Sequence, residues 1–426
     1  MRAGIGPVMP RSAPLAFALP NWASWMLVVV LVSHVLDSPV RWVLSFAHLE
    51  ALVYLRDAFA LAVFAAAIIH WMNGGQAAPA LVIALFMLPH LFWGMLMQPH
   101  IVQPLFGLKM YVTFLLGACC LADFRRHEQR WMQVLAGMFW ITALGVAINK
   151  FMPMPWAGML ISSAAGDVAV SREWSMAGIQ RLAGFTRASY DASAILAMMG
   201  GVVMLNSKRA WQQLVVFVIA FVLITLTTSK GSVLAWIVMG MAVPLLPQRQ
   251  YGPLLTRLMW LAPALVLGIP ALLAAYEYRA DVSGPLGWLL SSFLERINQM
   301  WPDAFSNAVH HGNIILGRGI GGIGFAQRFG DMDLYNSADN VMVYLYVTFG
   351  VPAVIYVYYM VSKFAAARDV MNEKTWQCAY LWLLYWFVYG LTGNNIEAPF
   401  PQFFIGLIFA ASILAKRPVT PKRSNP

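Results

Sequence analysis

The sequence predicts an all-α polytopic membrane protein, a single integral membrane domain over residues 1–426 with about twelve transmembrane helices. Three observations carry this. Of 426 residues, 60% are hydrophobic and 11% are charged, whereas a soluble domain has about 25% charged residues. Mean hydropathy is +0.66. The apolar residues also gather into runs approaching the ~20 needed to cross a bilayer. Together these exclude an ordinary cytosolic enzyme, a disordered chain and a nucleic-acid binder. Three cysteines are too few for a disulfide scaffold. Cys119, Cys120 and Cys378 read as small apolar helix residues.

The apolar runs fall near 21–36, 51–72, 79–97, 104–122, 131–151, 189–206, 211–228, 231–247, 256–276, 338–362, 376–393 and 398–415. Arg2, Arg11 and several prolines precede the first run, and no A-x-A-like cleavage site follows it. A retained first helix is therefore expected. Lys and Arg mark the cytoplasmic side of a span. With the tail carrying Lys416, Arg417, Lys422 and Arg423 inside, alternation puts the N-terminus inside too. It also puts Arg125, Arg126 and Arg130 inside, with Lys208 and Arg209, Arg249 and Arg257, and Lys363, Arg368 and Lys374. The net charge of +10 then suits loops facing anionic lipid, or an anionic lipid-linked substrate.

Two long loops, 152–188 and 277–337, fall on the opposite side and still hold arginines. The first has Arg172, Arg181 and Arg187; the second has Arg279, Arg296, Arg318 and Arg328. Long translocated loops escape the charge rule, so a plain surface role and an anion-binding role both remain open. Near 286–301 the second loop repeats Leu286, Leu289, Leu290, Phe293, Leu294, Ile297 and Trp301 at helical spacing. Ser291, Glu295 and Asn298 lie mostly off that stripe. An amphipathic helix is expected, stopped by Pro302. The glycine-rich stretch Gly317–Gly324 lacks the strand and βαβ frame of a nucleotide site. His310 and His311 have no partner at metal-ligand spacing, so no metal is expected.

Three polar constellations lie at the outer ends of apolar runs. Arg181 and Arg187 precede the 189–206 helix, which Ser189 or Asp191 could cap. That helix end would favour an anion, although arginines snorkelling at the interface are an ordinary alternative. Thr225–Ser232 forms a short polar turn with Lys230 at the membrane boundary; an ordinary tight turn is the alternative. Asn336, Ser337, Asp339 and Asn340 lead into the 338–362 run. Asp339 there is a helix cap or a carboxylate poised as a base, and the roles are compatible. Within the spans, Arg56 and Asp57 suit local pairing, and Lys109 and Lys150 suit an outer cavity.

In this order the constellations resemble the superfamily of O-antigen ligases and Wzy-type O-antigen or exopolysaccharide polymerases. Four segments over roughly 170–360 carry the resemblance. They are Arg181-x-x-Gly184; Thr228-Ser229-Lys230-Gly231-Ser232; Arg296, Trp301 and Ala304 with Gly317-Arg318-Gly319-Ile320-Gly321; and Ala338-Asp339-Asn340 followed by Gly350-Val351-Pro352. Lys230 stands where the family usually has arginine, and Asp339 where histidine is frequent.

The resemblance implies a GT-C-like fold in the bacterial inner (cytoplasmic) membrane, with both termini cytoplasmic and a periplasmic active site. It implies a glycosyltransferase that needs no cofactor or metal. The reaction would be inverting transfer of a glycan from undecaprenyl pyrophosphate to another lipid-linked repeat unit. Transfer to lipid A core, as in a ligase, is the alternative; a flippase of lipid-linked sugars is the rival outside enzymes. Catalytic roles fall to Asp339, Arg181 and Arg318. Substrate binding falls to Arg187, Lys230, Arg296 and Asn340. Chain-length regulators and export proteins would be partners, alongside the lipid bilayer; nucleic acid would not.

Overall fold

The computed structural model describes residues 19–73, 79–163, 166–172, 174–176, 178–276 and 284–415. The basic residues Arg2, Arg11, Arg279, Lys416, Arg417, Lys422 and Arg423 lie outside these. Every apolar run folds as helix. In chain order the first helices are α1 (Asn21–Val35), α2 (Asp37–Phe46), α3 (Leu55–Asn73), α4 (Pro79–Met97), α5 (Val102–Met110), α6 (Val112–Cys119), α7 (Leu121–Arg126) and α8 (Glu128–Phe151). After two small hairpins come α9 (Ser189–Asn206), α10 (Ala210–Leu226), α11 (Lys230–Ala242) and α12 (Gly252–Ala275). The chain closes with α13 (Gly284–Glu295), α14 (Trp301–His310), α15 (Val341–Phe349), α16 (Val351–Phe364), α17 (Glu373–Gly390) and α18 (Pro399–Leu414).

Among the described residues, four stretches are by length and composition able to cross a membrane: Glu50–His70, Val102–Arg126, Glu128–Phe151 and Gly252–Ala275. The α1–α2 pair also qualifies if taken as one span, bent by 87°. Ala210–Leu226, Lys230–Ala242, Val351–Phe364 and Pro399–Leu414 are shorter apolar helices. Most residues of α9, α17 and α18 are buried. Helices apolar on all sides need such an interior position. Around them α4, α10 and α12 turn large apolar side chains outward, among them Phe92, Leu214 and Leu261. Apolar surface of that extent marks contact with lipid or another partner rather than water.

The ends of the helices are tied by two separate sets of bonds. At one end Asn372 Nδ2 donates to the Arg125 carbonyl, Thr375 Oγ1 to Glu128 Oε1 and Lys374 Nζ to Asn206 Oδ1. At the other end Ser38 Oγ donates to the Thr186 carbonyl, and Gln98 and Gln103 amides donate to the carbonyls of Ile320 and Gly321.

The two long loops are partly regular. In the first, β1 (Leu160–Ser163) pairs antiparallel with β2 (Gly166–Ala169), and β3 (Ser175–Met176) with β4 (Ile179–Gln180). Met154, Trp156, Ile161 and Val170 form a small core under them, with Trp42 and Phe185 packed alongside. In the second, the amphipathic helix is present, with Ile297 and Trp301 buried and Ser291 and Glu295 exposed. Pro302 does not stop it. The chain passes through a π-turn, Arg296–Met300, and continues as α14. The Trp301 N–H reaches back five residues to the Arg296 carbonyl. That widened turn admits a proline ring that would otherwise strike the preceding turn.

Candidate functional site

The first constellation is built on Gly184. Its φ of +59° lies in the left-handed region, and a Cβ there would sit 2.6 Å from the Val146 nitrogen on α8. Only glycine allows the loop to lie this close. The Gly184 N–H donates to Asn149 Oδ1, 3.1 Å away. Docked in this way, the loop carries Arg181 beside Trp174, its guanidinium 5.8 Å from the ring centroid. Neither Ser189 nor Asp191 caps α9. The cap position is Ala188, whose methyl side chain can accept no bond, and Thr186 instead donates to the carbonyls of Ala183 and Ala188.

The second constellation is the α10–α11 turn. Thr228 has φ of 59° and ends α10. The buried Ser232 hydroxyl lies 2.8 Å from Ser193 Oγ and 3.1 Å from the Tyr385 hydroxyl, binding α11 to α9 and α17. These bonds fix Lys230, the first residue of α11, within electrostatic range of both Arg181 and Arg296. Three cations from three separate elements therefore converge.

The third constellation completes the group. Ala338 and Asp339 both adopt left-handed backbone, with φ of 59° and 42°. The Ala338 N–H donates to Asn336 Oδ1 at 2.7 Å. Two successive non-glycine residues in that region cost energy and persist only where surrounding structure holds them. The turn presents Asp339 to Arg296, whose Nη2 donates to Oδ2 at 2.7 Å, while Ser337 donates to Oδ1 at 2.9 Å. Asp339 is therefore not the helix cap. Asn340 is: its Oδ1 accepts from the Met342 and Val343 N–H groups, and its amide donates to the carbonyls of Val266 and Leu391. Fully buried and committed, Asn340 is structural rather than substrate-binding.

Arg187 belongs to a neighbouring group. Burial first, then the charges of Arg41 and Arg172, push its pKa down to about 10. Arg172 Nη1 donates to the Tyr190 hydroxyl at 2.8 Å, and Arg41 and Arg56 both bind Asp37. Glu397, in the turn between α17 and α18, lies within electrostatic range of Arg172 and of Asp339, one residue from each group. Beside them an open cleft of about 400 Å³ is lined by Trp174, Ser175, Arg181, Ser291, Ser292 and Glu295. The arrangement can hold an anion among cations and offer carboxylates for proton transfer.

No family model matches this sequence, and no curated protein is significantly similar to it.

Of the seven residues singled out from sequence, Arg181, Lys230, Arg296 and Asp339 form one cluster, and Arg187 lies in the adjoining one. Arg318 does not join them. It is 2% exposed, donates to the carbonyls of His311 and Gly322, and is paired with Asp331. A guanidinium enclosed by its own loop has nothing left to offer a substrate. Lys109 is likewise spent on Asp57, at 2.7 Å. Arg56 pairs with Asp37, the first residue of α2, so that this charge ties α3 to α2. Sequence reasoning missed Asp37, Arg41, Glu397 and the tyrosines Tyr190 and Tyr344. Glu397 left one trace, as the lone acid of a short polar turn, Thr392–Glu397, between two apolar runs.

Proposed function

We propose that the protein is a membrane glycosyltransferase that polymerises undecaprenyl-pyrophosphate-linked oligosaccharide repeat units. Its product would be exopolysaccharide or O-antigen, made by inverting, metal-independent transfer at the periplasmic face of the bacterial inner membrane. One observation carries this. Arg181, Lys230 and Arg296 converge beside the Asp339 carboxylate at one end of a bundle of apolar helices. A lipid with an anionic head group presents its charge at that depth. The opposite end holds the basic segments around Arg125, Arg126 and Lys208, which supports a twelve-span, GT-C-like alternation with both termini cytoplasmic.

The chemistry follows from the leaving group. Lipid pyrophosphate departs well if its growing charge is met by fixed cations. Arg181, Arg296 and Lys230 bring positive charge to a phosphate, the guanidiniums as planar donor sets and Lys230 as a point charge. Arg187 and Arg172 extend the positive field. The transition state is oxocarbenium-like, as in other glycosyl chemistry. Asp339 holds Arg296 in place and orients the acceptor side of the site.

The test uses purified protein in detergent with EDTA and an undecaprenyl-pyrophosphate-linked oligosaccharide repeat unit as sole substrate. A gel ladder of longer glycans is expected from the wild type. In the folded Arg296→Ala and Lys230→Ala variants it should fall by ~10²-fold or more, the typical loss of one charge-stabilising donor. Transfer only after lipid A core is added would make the protein a ligase. Movement of the lipid-linked sugar across vesicles without bond formation would replace the enzyme by a flippase.

A further inference from the structure

We infer that Glu397 is the general base of the glycosyl transfer, taking the proton from the attacking sugar hydroxyl; this rests on the function proposed above. Asp339 is poorly placed for that task. One of its oxygens lies 2.7 Å from the Arg296 guanidinium and the other accepts from Ser337. A carboxylate with both oxygens engaged by protein donors is not positioned to receive a substrate proton.

Glu397 is built differently. Its Oε1 accepts the Phe325 N–H at 2.5 Å and the Tyr344 hydroxyl at 3.3 Å. Its Oε2 accepts no hydrogen bond among the described residues, and the side chain stays partly exposed. One oxygen is thus anchored and the other is open. The anchor is specific. Gly324, with φ of +80°, precedes the Phe325 N–H, and a Cβ at Gly324 would strike Glu397 Oε1. The turn bearing Glu397 is held as well. The Ile396 N–H donates to Asn394 Oδ1 at 2.9 Å, and Asn395 Nδ2 donates to the Trp386 carbonyl at 3.1 Å.

The groups facing Glu397 come from every side. Arg172 comes from the first long loop, Asp339 from the turn before α15, Tyr344 from α15, Tyr190 from α9 and Tyr111 from the α5–α6 junction. Burial raises the Glu397 pKa to about 7, against the pull of the Phe325 and Tyr344 hydrogen bonds and of Arg172. A base acts best with its pKa near the working pH. In the step, Oε2 takes the hydroxyl proton as the acceptor oxygen bonds to the anomeric carbon. The anomeric C–O bond breaks, and its electron pair leaves with the lipid pyrophosphate. Glu397 then passes the proton to solvent.

The test is the pH profile of kcat, measured on lipid-pyrophosphate-linked oligosaccharide extracted from producing cells. Wild-type kcat should fall below about pH 7, as Glu397 is protonated. Glu397→Gln keeps an oxygen for Phe325 and Tyr344. It should lose ~10²–10⁴-fold in kcat, the usual worth of a general base, and the acid limb with it. Glu397→Asp should keep the limb at lower rate. Formate should partly rescue Glu397→Ala, which a merely structural role would not allow. Arg172→Gln should move the limb to higher pH, a readout that survives if Glu397→Gln fails to fold.

The inference is overturned if folded Glu397→Gln stays within threefold of wild type with its limb intact. It is also overturned if the limb vanishes in Asp191→Asn instead, or does not move in Arg172→Gln. A wild type that forms no glycosidic bond overturns the glycosyl-transfer function itself, and the base assignment falls with it.

Discussion

Arg296 and Arg318 lie in the same long loop, and each is paired with an aspartate, Asp339 and Asp331 respectively. Their surroundings differ. Arg318 is enclosed by the glycine-rich stretch, which is pinned to α4 and α15 by its own backbone. The Arg318 and Gly319 N–H groups satisfy the carbonyls of Val347 and Thr348 at the end of α15. Arg296 instead stands on a π-turn, with its side chain 16% exposed and that of Asp339 28% exposed. A buried, saturated ion pair holds a loop in shape. A half-open pair beside other cations retains capacity for a ligand. An arginine's chemistry is set by what encloses it, not by the motif that contains it.

That contrast can be broken by mutation. Arg318→Ala should be the most damaging, costing ~3–5 kcal/mol because Asp331 is left uncompensated. Denaturant or thermal unfolding in detergent would read this, and a loss under ~1 kcal/mol would erase the distinction. Gly184→Ala should follow at about 1–3 kcal/mol, the range for a forced left-handed residue, with Arg181 displaced and activity lowered. Arg296→Ala should cost about 1–2 kcal/mol, between a surface and a buried pair, while abolishing most transfer. A variant as unstable as Arg318→Ala would place Arg296 in the scaffold instead.

The smallest effect concerns pH. A carboxyl whose folded pKa lies above its ordinary value stabilises the fold at low pH, and that contribution is lost as pH rises. For Glu397 the window runs from 4.5 to about 7. Wild type should therefore lose stability relative to Glu397→Gln across that window. Parallel unfolding curves at both pH values would mean that folding does not raise the Glu397 pKa.

Much of the helical plan was legible in the chain, because apolar runs and basic loops report a bilayer through composition alone. The 189–206 run matches α9 end to end. The turn containing Lys230 was legible for the same reason, since a charge between two apolar runs has nowhere else to go. Other features were not. The hairpins of the first loop have strands of two to four residues, too short for alternation to register. Pro302 signals a helix stop by itself, and only the π-turn before it lets the helix continue. Asp339 and Asn340 are neighbours with similar capping chemistry, so sequence could not choose between them; the left-handed turn at Asp339 does.

Composition and run length thus determined that this is a helical protein with apolar, membrane-compatible spans, because those quantities are local and additive along the chain. Which polar residues meet was decided by tertiary structure alone. Arg181, Lys230 and Arg296 converge from three elements, Arg318 is withdrawn into its loop, and Glu397 joins residues 53 to 225 positions away in sequence. Such meetings depend on helix ends brought together across long chain separations, and no local pattern records them.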